Sequence, residues 1–158
     1  MEPTDSRRAR VAALDALARR DLPGDELRRK LLEKGYDSSV VTPLLEALRT
    51  EKLVDDRRYV ENFVAYHAAR GQGPIRVRLG LRQKGVAGEF VEEALKAYPD
   101  WNVRLREVQR RKFGAKAPTS YVERQRHARF LGYRGFTSAQ IRSALGLDVE
   151  LDSDDEGS

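Results

Sequence analysis

The chain has 158 residues, of which 40% are hydrophobic and 35% charged, with 30 Lys+Arg against 25 Asp+Glu and no cysteine. That length carries one domain or a row of small units sharing a core, and the lack of cysteine excludes a disulfide scaffold, a thiolate metal site and a cysteine nucleophile. No apolar run approaches the ~18 residues that span a bilayer, and polar Met1–Arg10 leads into no signal-like apolar stretch, so a soluble, cytoplasmic protein is expected.

The first helical pattern covers residues 5–19, with Val11, Leu14, Leu17 and Ala18 on one face. A second opens after Pro23, covers 24–34 and stops at Lys34-Gly35-Tyr36. A third follows Asp37 over 38–50. This succession then recurs. The phrase returns as Lys84-Gly85-Val86 and Arg134-Gly135-Phe136, so the three glycines fall at one fixed spacing. Four residues before them stand Leu31, Leu81 and Leu131; six after, Val41, Val91 and Ile141; ten after, Leu45, Leu95 and Leu145. Apolar residues recurring at fixed offsets in three copies mark an internal repeat. The second copy reads as helices over 56–70, 74–84 and 89–98, and the third as 101–113, 119–133 and 138–146. Nowhere does a sustained period-2 strand pattern appear.

The sequence therefore predicts an all-α fold of three tandem three-helix repeats, about nine helices, at 1–50, 51–99 and 100–147. An acidic, disordered tail is expected at 148–158, with disorder beyond about Leu151. Repeat units that touch only their neighbours favour an elongated, curved array.

Each potential site has a structural alternative. Asp55-Asp56 reads as a helix cap rather than a metal site, because no further ligands sit at suitable spacing. Gly71-Gln72-Gly73-Pro74 follows no strand and lacks a GxxxxGK run, so it reads as a tight helix–helix turn and not a nucleotide loop. His127 occupies the repeat position of Leu27 and Val77 and reads as packing; His67 is on a different helix. Trp101 reads as a plug between the second and third repeats, and Phe113, Phe130 and Phe136 as core. No nucleophile–base–acid set emerges. The sequence indicates no enzyme, no cofactor and no metal.

Charge is more informative. Residues 101–147 hold 11 basic and 2 acidic residues, and 148–158 hold 6 acidic and no basic ones. Such a basic block suits a polyanion or an acidic protein surface. The candidate contact residues, chosen by charge, are Arg57, Arg58, Arg76, Arg78, Arg82, Arg104, Arg110, Arg111, Arg124, Arg126, Arg129 and Arg134. The repeat aligns Arg76 with Arg126 and Arg28 with Arg78, and repeats stacked in register would line such residues into a stripe.

Several phrases together resemble the RecX family, bacterial modulators of the RecA recombinase. They are Leu53-Val54-Asp55-Asp56-Arg57-Arg58-Tyr59-Val60, Arg70-Gly71-Gln72-Gly73-Pro74, Arg82-Gln83-Lys84-Gly85-Val86, Trp101, and Phe130-Leu131-Gly132-Tyr133-Arg134-Gly135-Phe136. The likeness covers roughly residues 10–147; the first repeat matches less clearly, and the acidic tail is outside the pattern. The resemblance implies tandem three-helix repeats without enzymatic activity. It also implies binding in the groove of the RecA–single-stranded DNA filament, with inhibition of RecA ATPase, strand exchange and coprotease function and limited filament growth. The partners expected are the RecA filament and single- or double-stranded DNA, with no membrane, and the protein is expected to be a monomer. The competing reading is a helix-turn-helix-like DNA-binding regulator that acts without RecA.

Overall fold

The computed structural model of the chain describes residues 3–151. Nine helices and no strands make up those residues: α1 (Pro3–Arg19), α2 (Gly24–Glu33), α3 (Ser38–Thr50), α4 (Asp56–Ala69), α5 (Pro74–Arg82), α6 (Gly88–Ala97), α7 (Trp101–Phe113), α8 (Tyr121–Tyr133) and α9 (Ser138–Leu145). The fold is the expected all-α tandem three-helix repeat.

The recurring glycine is a backbone device. Gly35, Gly85 and Gly135 all have positive φ, at 97°, 70° and 97°, where a Cβ would be strained. At the first, the Tyr36 N–H donates to the Leu31 carbonyl and the Gly35 N–H to the Leu32 carbonyl. At the third, Phe136 and Gly135 bond Leu131 and Gly132 in the same way. This double bond ends a helix and turns the chain into the next. Asp37 then caps α3 through the Ser39 N–H, and Thr137 caps α9 in a reciprocal pair with Gln140.

The other recurring positions face inward. Leu31, Leu81 and Leu131 are buried, as are Val41, Val91 and Ile141, and Leu45, Leu95 and Leu145. His127 is buried like its counterparts Leu27 and Val77. A fully buried aliphatic side chain contributes about 1.5–3 kcal/mol, so conserving these offsets keeps the same three-helix packing in each copy.

By packing, the chain forms two compact units, Met1–Asn62 with Leu81–Val91, and Phe63–Gly80 with Glu92–Ser158. The first has a core of Ala9, Ala13, Leu22, Leu27, Leu31, Val40, Val41, Leu44, Leu45, Leu48 and Val54. The second is built on Leu105, Val108, Ala128, Leu131, Phe136, Ile141, Leu145 and Val149, with Trp101 and Phe130 partly buried against it. Trp101 also donates to the Leu95 carbonyl at 3.0 Å.

α8 starts at Tyr121, two residues later than the sequence predicts. Ser120 accepts from the Glu123 N–H, and the Glu123 carboxylate accepts from the Thr119 N–H. This reciprocal cap fixes the start and leaves Pro118 and Thr119 in the loop.

Candidate functional site

The start of each middle helix is closed differently, and this decides which groups remain available. Pro23 gives α2 no side-chain cap. Asp56 supplies one from a distance, accepting the Gly24 N–H at 2.8 Å, while its neighbour Asp55 caps α4 through the Arg58 N–H. The two acidic residues thus divide the work of two helix starts, a division that sequence alone left open. No group of three or more potential metal ligands occurs among the described residues.

At α5, the Gly73 N–H donates to the Arg134 carbonyl at 2.8 Å and the Ile75 N–H to the Gly135 carbonyl at 2.9 Å. Those amides are consumed in packing, so the glycine-rich turn offers them to no phosphate. A Cβ on Gly73 would lie 2.3 Å from the Gly135 backbone. Arg134 completes the contact, with Nε bonded to the Gly71 carbonyl and Nη2 to the Arg70 carbonyl.

The twelve candidate arginines separate into three groups. Arg58, Arg78, Arg104, Arg124 and Arg134 are tied into the fold. Arg58 forms a fork on Asp21 and also reaches the Lys52 carbonyl. Arg78 pairs with Glu92 at 2.7 Å, and Arg104 contacts the Tyr98 hydroxyl and Glu107. Arg124 holds Asp148 through Nη2 at 2.9 Å and the Leu145 carbonyl through Nη1. Hydrogen bonds to Asp21, to Tyr98 and to Asp148 are the largest of the influences that raise the pKa of Arg58, Arg104 and Arg124, and the Arg124 bond holds the Asp148 carboxyl below its usual range.

A second group lies over aromatic rings. Arg57 sits 4.6 Å from the Phe90 centroid, Arg76 4.6 Å from that of Tyr133, and Arg126 5.5 Å from that of Phe113. Such stacking fixes the guanidinium plane, and at Arg76 and Arg126 the plane's edge can still bond an acceptor. The third group, Arg82, Arg110, Arg111 and Arg129, is exposed and has no bonded partner among the described residues. Arg57, Arg58 and Arg82 belong to the first packing unit and the rest to the second.

Within the second unit the structure brings several of these together. An open groove between α7 and α8 is lined by Lys112, Phe113, Arg126, Arg129, Phe130 and Tyr133. Its floor is aromatic and its rim cationic. Lys112 lies 5.4 Å from the Phe130 ring, and Arg76 approaches the same groove through Tyr133, which is 70% exposed. Phe113 and Phe130 are therefore not the enclosed core residues expected from sequence. Both are half-buried, Phe130 against the edge of the core and Phe113 on the His127 ring, and only Phe136 of the three is fully buried.

Among the described residues no carboxylate forms an ion pair with Lys112, Arg126 or Arg129. Between Trp101 and Tyr133 the only acidic residues are Glu107 and Glu123. Glu107 is engaged by Arg104 and Glu123 by the cap of α8. A second groove, along the other side of α7, is lined by Arg106, Arg110 and Lys116 beside the 114–118 loop. Sequence reading missed Arg106 and Lys116, although the four-residue spacing of Arg106 and Arg110 on one helix was the available signal.

His127 lies beneath the α7–α8 groove, stacked on Phe113 at 3.7 Å, with Nδ1 2.9 Å from the Gln109 amide nitrogen. Burial first, and then the charge of Arg126, lower its pKa from the ordinary value, with Glu123 opposing. It is a packing residue, held neutral.

Residues 148–151 continue the second unit. Val149 is 2% exposed, and Gln125 both donates to and accepts from the Glu150 backbone. The expected disorder beyond Leu151 lies outside the described residues.

Comparison with known proteins agrees with this architecture. Family models described as the first, second and third three-helix domains of RecX match residues 9–48, 55–95 and 103–145. The chain is 45% identical to the regulatory protein RecX of Halorhodospira halophila over 152 residues, covering 96% of this chain and 92% of that protein. It is 38% identical to the regulatory protein RecX of Pseudomonas putida strain GB-1 over 143 residues, covering 89% and 92%. In fold it is similar to the crystal structure of RecX from Lactobacillus salivarius, with a TM-score of 0.78 at 21% identity, covering 90% of this chain and 96% of that one.

Proposed function

The chain belongs to the RecX family of regulatory proteins, and from that premise we propose that it is a non-catalytic modulator, chiefly an inhibitor, of the RecA recombinase. In this reading it binds the RecA–single-stranded DNA filament, limits its growth, and suppresses its ATPase, strand exchange and coprotease activities. The observation that carries the physical side is the cationic rim of the second unit, Lys112, Arg126 and Arg129 over an aromatic floor, which no carboxylate among the described residues pairs. A nucleoprotein filament offers both phosphates and protein carboxylates, and guanidinium groups bond either one through paired N–H donors. Repeated modest contacts along a filament reinforce one another through effective concentration.

On this reading the contact residues are the arginines the fold does not consume. Arg76, Arg82, Arg110, Arg111, Arg126 and Arg129 belong to the interface, joined by Lys112, Arg106 and Lys116. Arg58, Arg78, Arg104, Arg124 and Arg134 hold the repeats together and contribute indirectly.

The deciding experiment adds the protein to RecA pre-assembled on single-stranded DNA with ATP and follows hydrolysis. Hydrolysis falling at substoichiometric protein is the expected result and points to blocked growth. Unchanged hydrolysis at excess protein, with helicity intact, refutes the reading. A salt-sensitive shift of duplex DNA without RecA then favours a stand-alone DNA-binding regulator.

A further inference from the structure

We infer that Tyr133 is a base-stacking residue and makes the α7–α8 groove specific for an unpaired nucleic-acid strand. The inference deepens the filament reading and rests on it only in treating this groove as a contact face. The groove offers about 610 Å³, within the roughly 300–1,000 Å³ of ordinary ligand clefts. Its three rings are held differently. Phe113 lays one face on His127 at 3.7 Å, and Phe130 meets Phe113 edge-on at 5.6 Å; both are half-buried. Tyr133 is 70% exposed, and its hydroxyl has no hydrogen-bond partner among the described residues. The Arg76 guanidinium lies over this ring, 4.6 Å from the centroid. The chain thus orients the Tyr133 ring by one contact and leaves most of its surface uncovered.

A single exposed ring is ordinary on a protein surface, but this one stands in line with cations. Arg129 lies four residues before Tyr133, and Arg126 three before Arg129, so the three share one side of α8. From Arg126 to Tyr133 the helix rises about 10 Å, enough for about three phosphates at the roughly 3.4 Å spacing of a stacked strand. Lys112 adds a cation from α7. Phosphates held on this rim bring a base onto Tyr133. Every base has a π-face, so such stacking tolerates any sequence. A duplex carries the same phosphates but keeps its base faces inside its own stack. An acidic protein surface would satisfy the cations and leave the aromatic floor wet. Only a single strand uses both the rim and the floor.

The test uses the full chain without RecA and follows fluorescence anisotropy of three probes: a thymidine oligonucleotide, its abasic counterpart of equal length, and a duplex. Wild type should bind the thymidine strand about tenfold more tightly than the abasic strand. That ratio comes from stacking, so it should persist as salt rises while both affinities fall. Tyr133→Leu should lose about tenfold on the thymidine strand and nothing on the abasic strand or the duplex. Tyr133→Phe, which keeps the ring, should restore the loss. Arg129→Gln should weaken both single strands alike.

Equal affinities of wild type for the thymidine and abasic strands overturn the inference, and so does binding of neither. A Tyr133→Leu chain that binds the thymidine strand as before also overturns it. Equal losses on both strands after Tyr133→Leu would mark a structural role and overturn it too. RecA hydrolysis decides the filament reading separately. If hydrolysis is still suppressed in any of these cases, the filament reading stands and the groove meets an acidic protein surface. If base-dependent binding is present while hydrolysis is unaffected, the filament reading falls and the strand site remains.

Discussion

The two packing units use the same three-helix repeat and differ in how much of their cationic charge is paired with carboxylates. In the first, cations are answered by carboxylates. Arg10 pairs with Glu51, Arg29 with Asp25, Arg49 with Glu46 and Arg58 with Asp21. Glu26, nearly buried, takes both Arg20 and Lys84. Burial pushes its carboxyl up, but the Arg20 hydrogen bond and the charges of Arg20, Lys84 and Lys30 outweigh that and hold it below its usual range. In the second unit, α7 and α8 carry many cations and two engaged glutamates, so the charge is left facing outward. A repeat constrains its core positions and its glycine turn, while its surface charge is free to specialise. Where the pairs close, the charge supports the fold; where they stay open, it is available to a partner.

The largest expected effect tests whether the second unit depends on its glycine-rich turn. Gly73→Ala drives a Cβ into the Gly135 backbone, which a side-chain rotation cannot relieve. We expect a loss of about 3 kcal/mol or more, a size reserved for backbone strain and broken packing, read as a fall in Tm and in the denaturant midpoint. Gly88→Ala, at the start of α6 with open space around its Cβ and ordinary φ, should be neutral or slightly stabilising. Equal effects at the two positions would remove the turn from the account of stability.

The next effect sharpens the contrast in charge. Reversing Arg126 and Arg129 to glutamate should weaken filament inhibition about tenfold or more at moderate salt, since each lost phosphate or carboxylate contact also becomes a repulsion. Circular dichroism should not change, because both side chains are exposed. Reversing Arg10, whose partner Glu51 is equally exposed, should leave inhibition as it was. Unchanged inhibition by the first variant, with helicity retained, would move the contact surface away from α8.

Much of this fold was legible because the strongest constraints are local and recur. The glycine phrase announces positive φ, and the apolar offsets announce a buried face. Asp37 and Thr137 announce caps. The site was less legible because the fate of an arginine depends on distant partners. Nothing in the order Arg124, Arg126, Arg129 says that the first will be gripped by Asp148 while the others face the groove. Arg134 looked like one more surface cation, yet it binds the Gly71 and Arg70 carbonyls from far along the chain. Asp56 likewise looked like a cap for its own helix and serves another. Charge can be counted from sequence, but its availability depends on tertiary pairing.

The smallest expected effect isolates a position where the two units differ by one side chain. His127 occupies in the second unit the place that Leu27 fills in the first, and both are buried. Gln109 offers its amide N–H to Nδ1, which suits a neutral ring with the proton on Nε2; an imidazolium would set donor against donor. Burial and Arg126 lower the folded-state pKa below the ordinary 6.5. The unfolded chain therefore binds the proton more readily. The full contribution is present above pH 6.5, is lost as the pH falls from there towards the lowered folded value, and levels off below it. His127→Leu places the residue of the first repeat into the third and deletes this dependence. Thermal melts of both chains at neutral and mildly acidic pH should show wild type losing more Tm on acidification than the variant. Carboxylate titrations common to both chains cancel in that difference. Parallel losses would mean that His127 is solvated enough to protonate without disturbing its stack on Phe113, and the floor of the groove would then be softer than its geometry indicates.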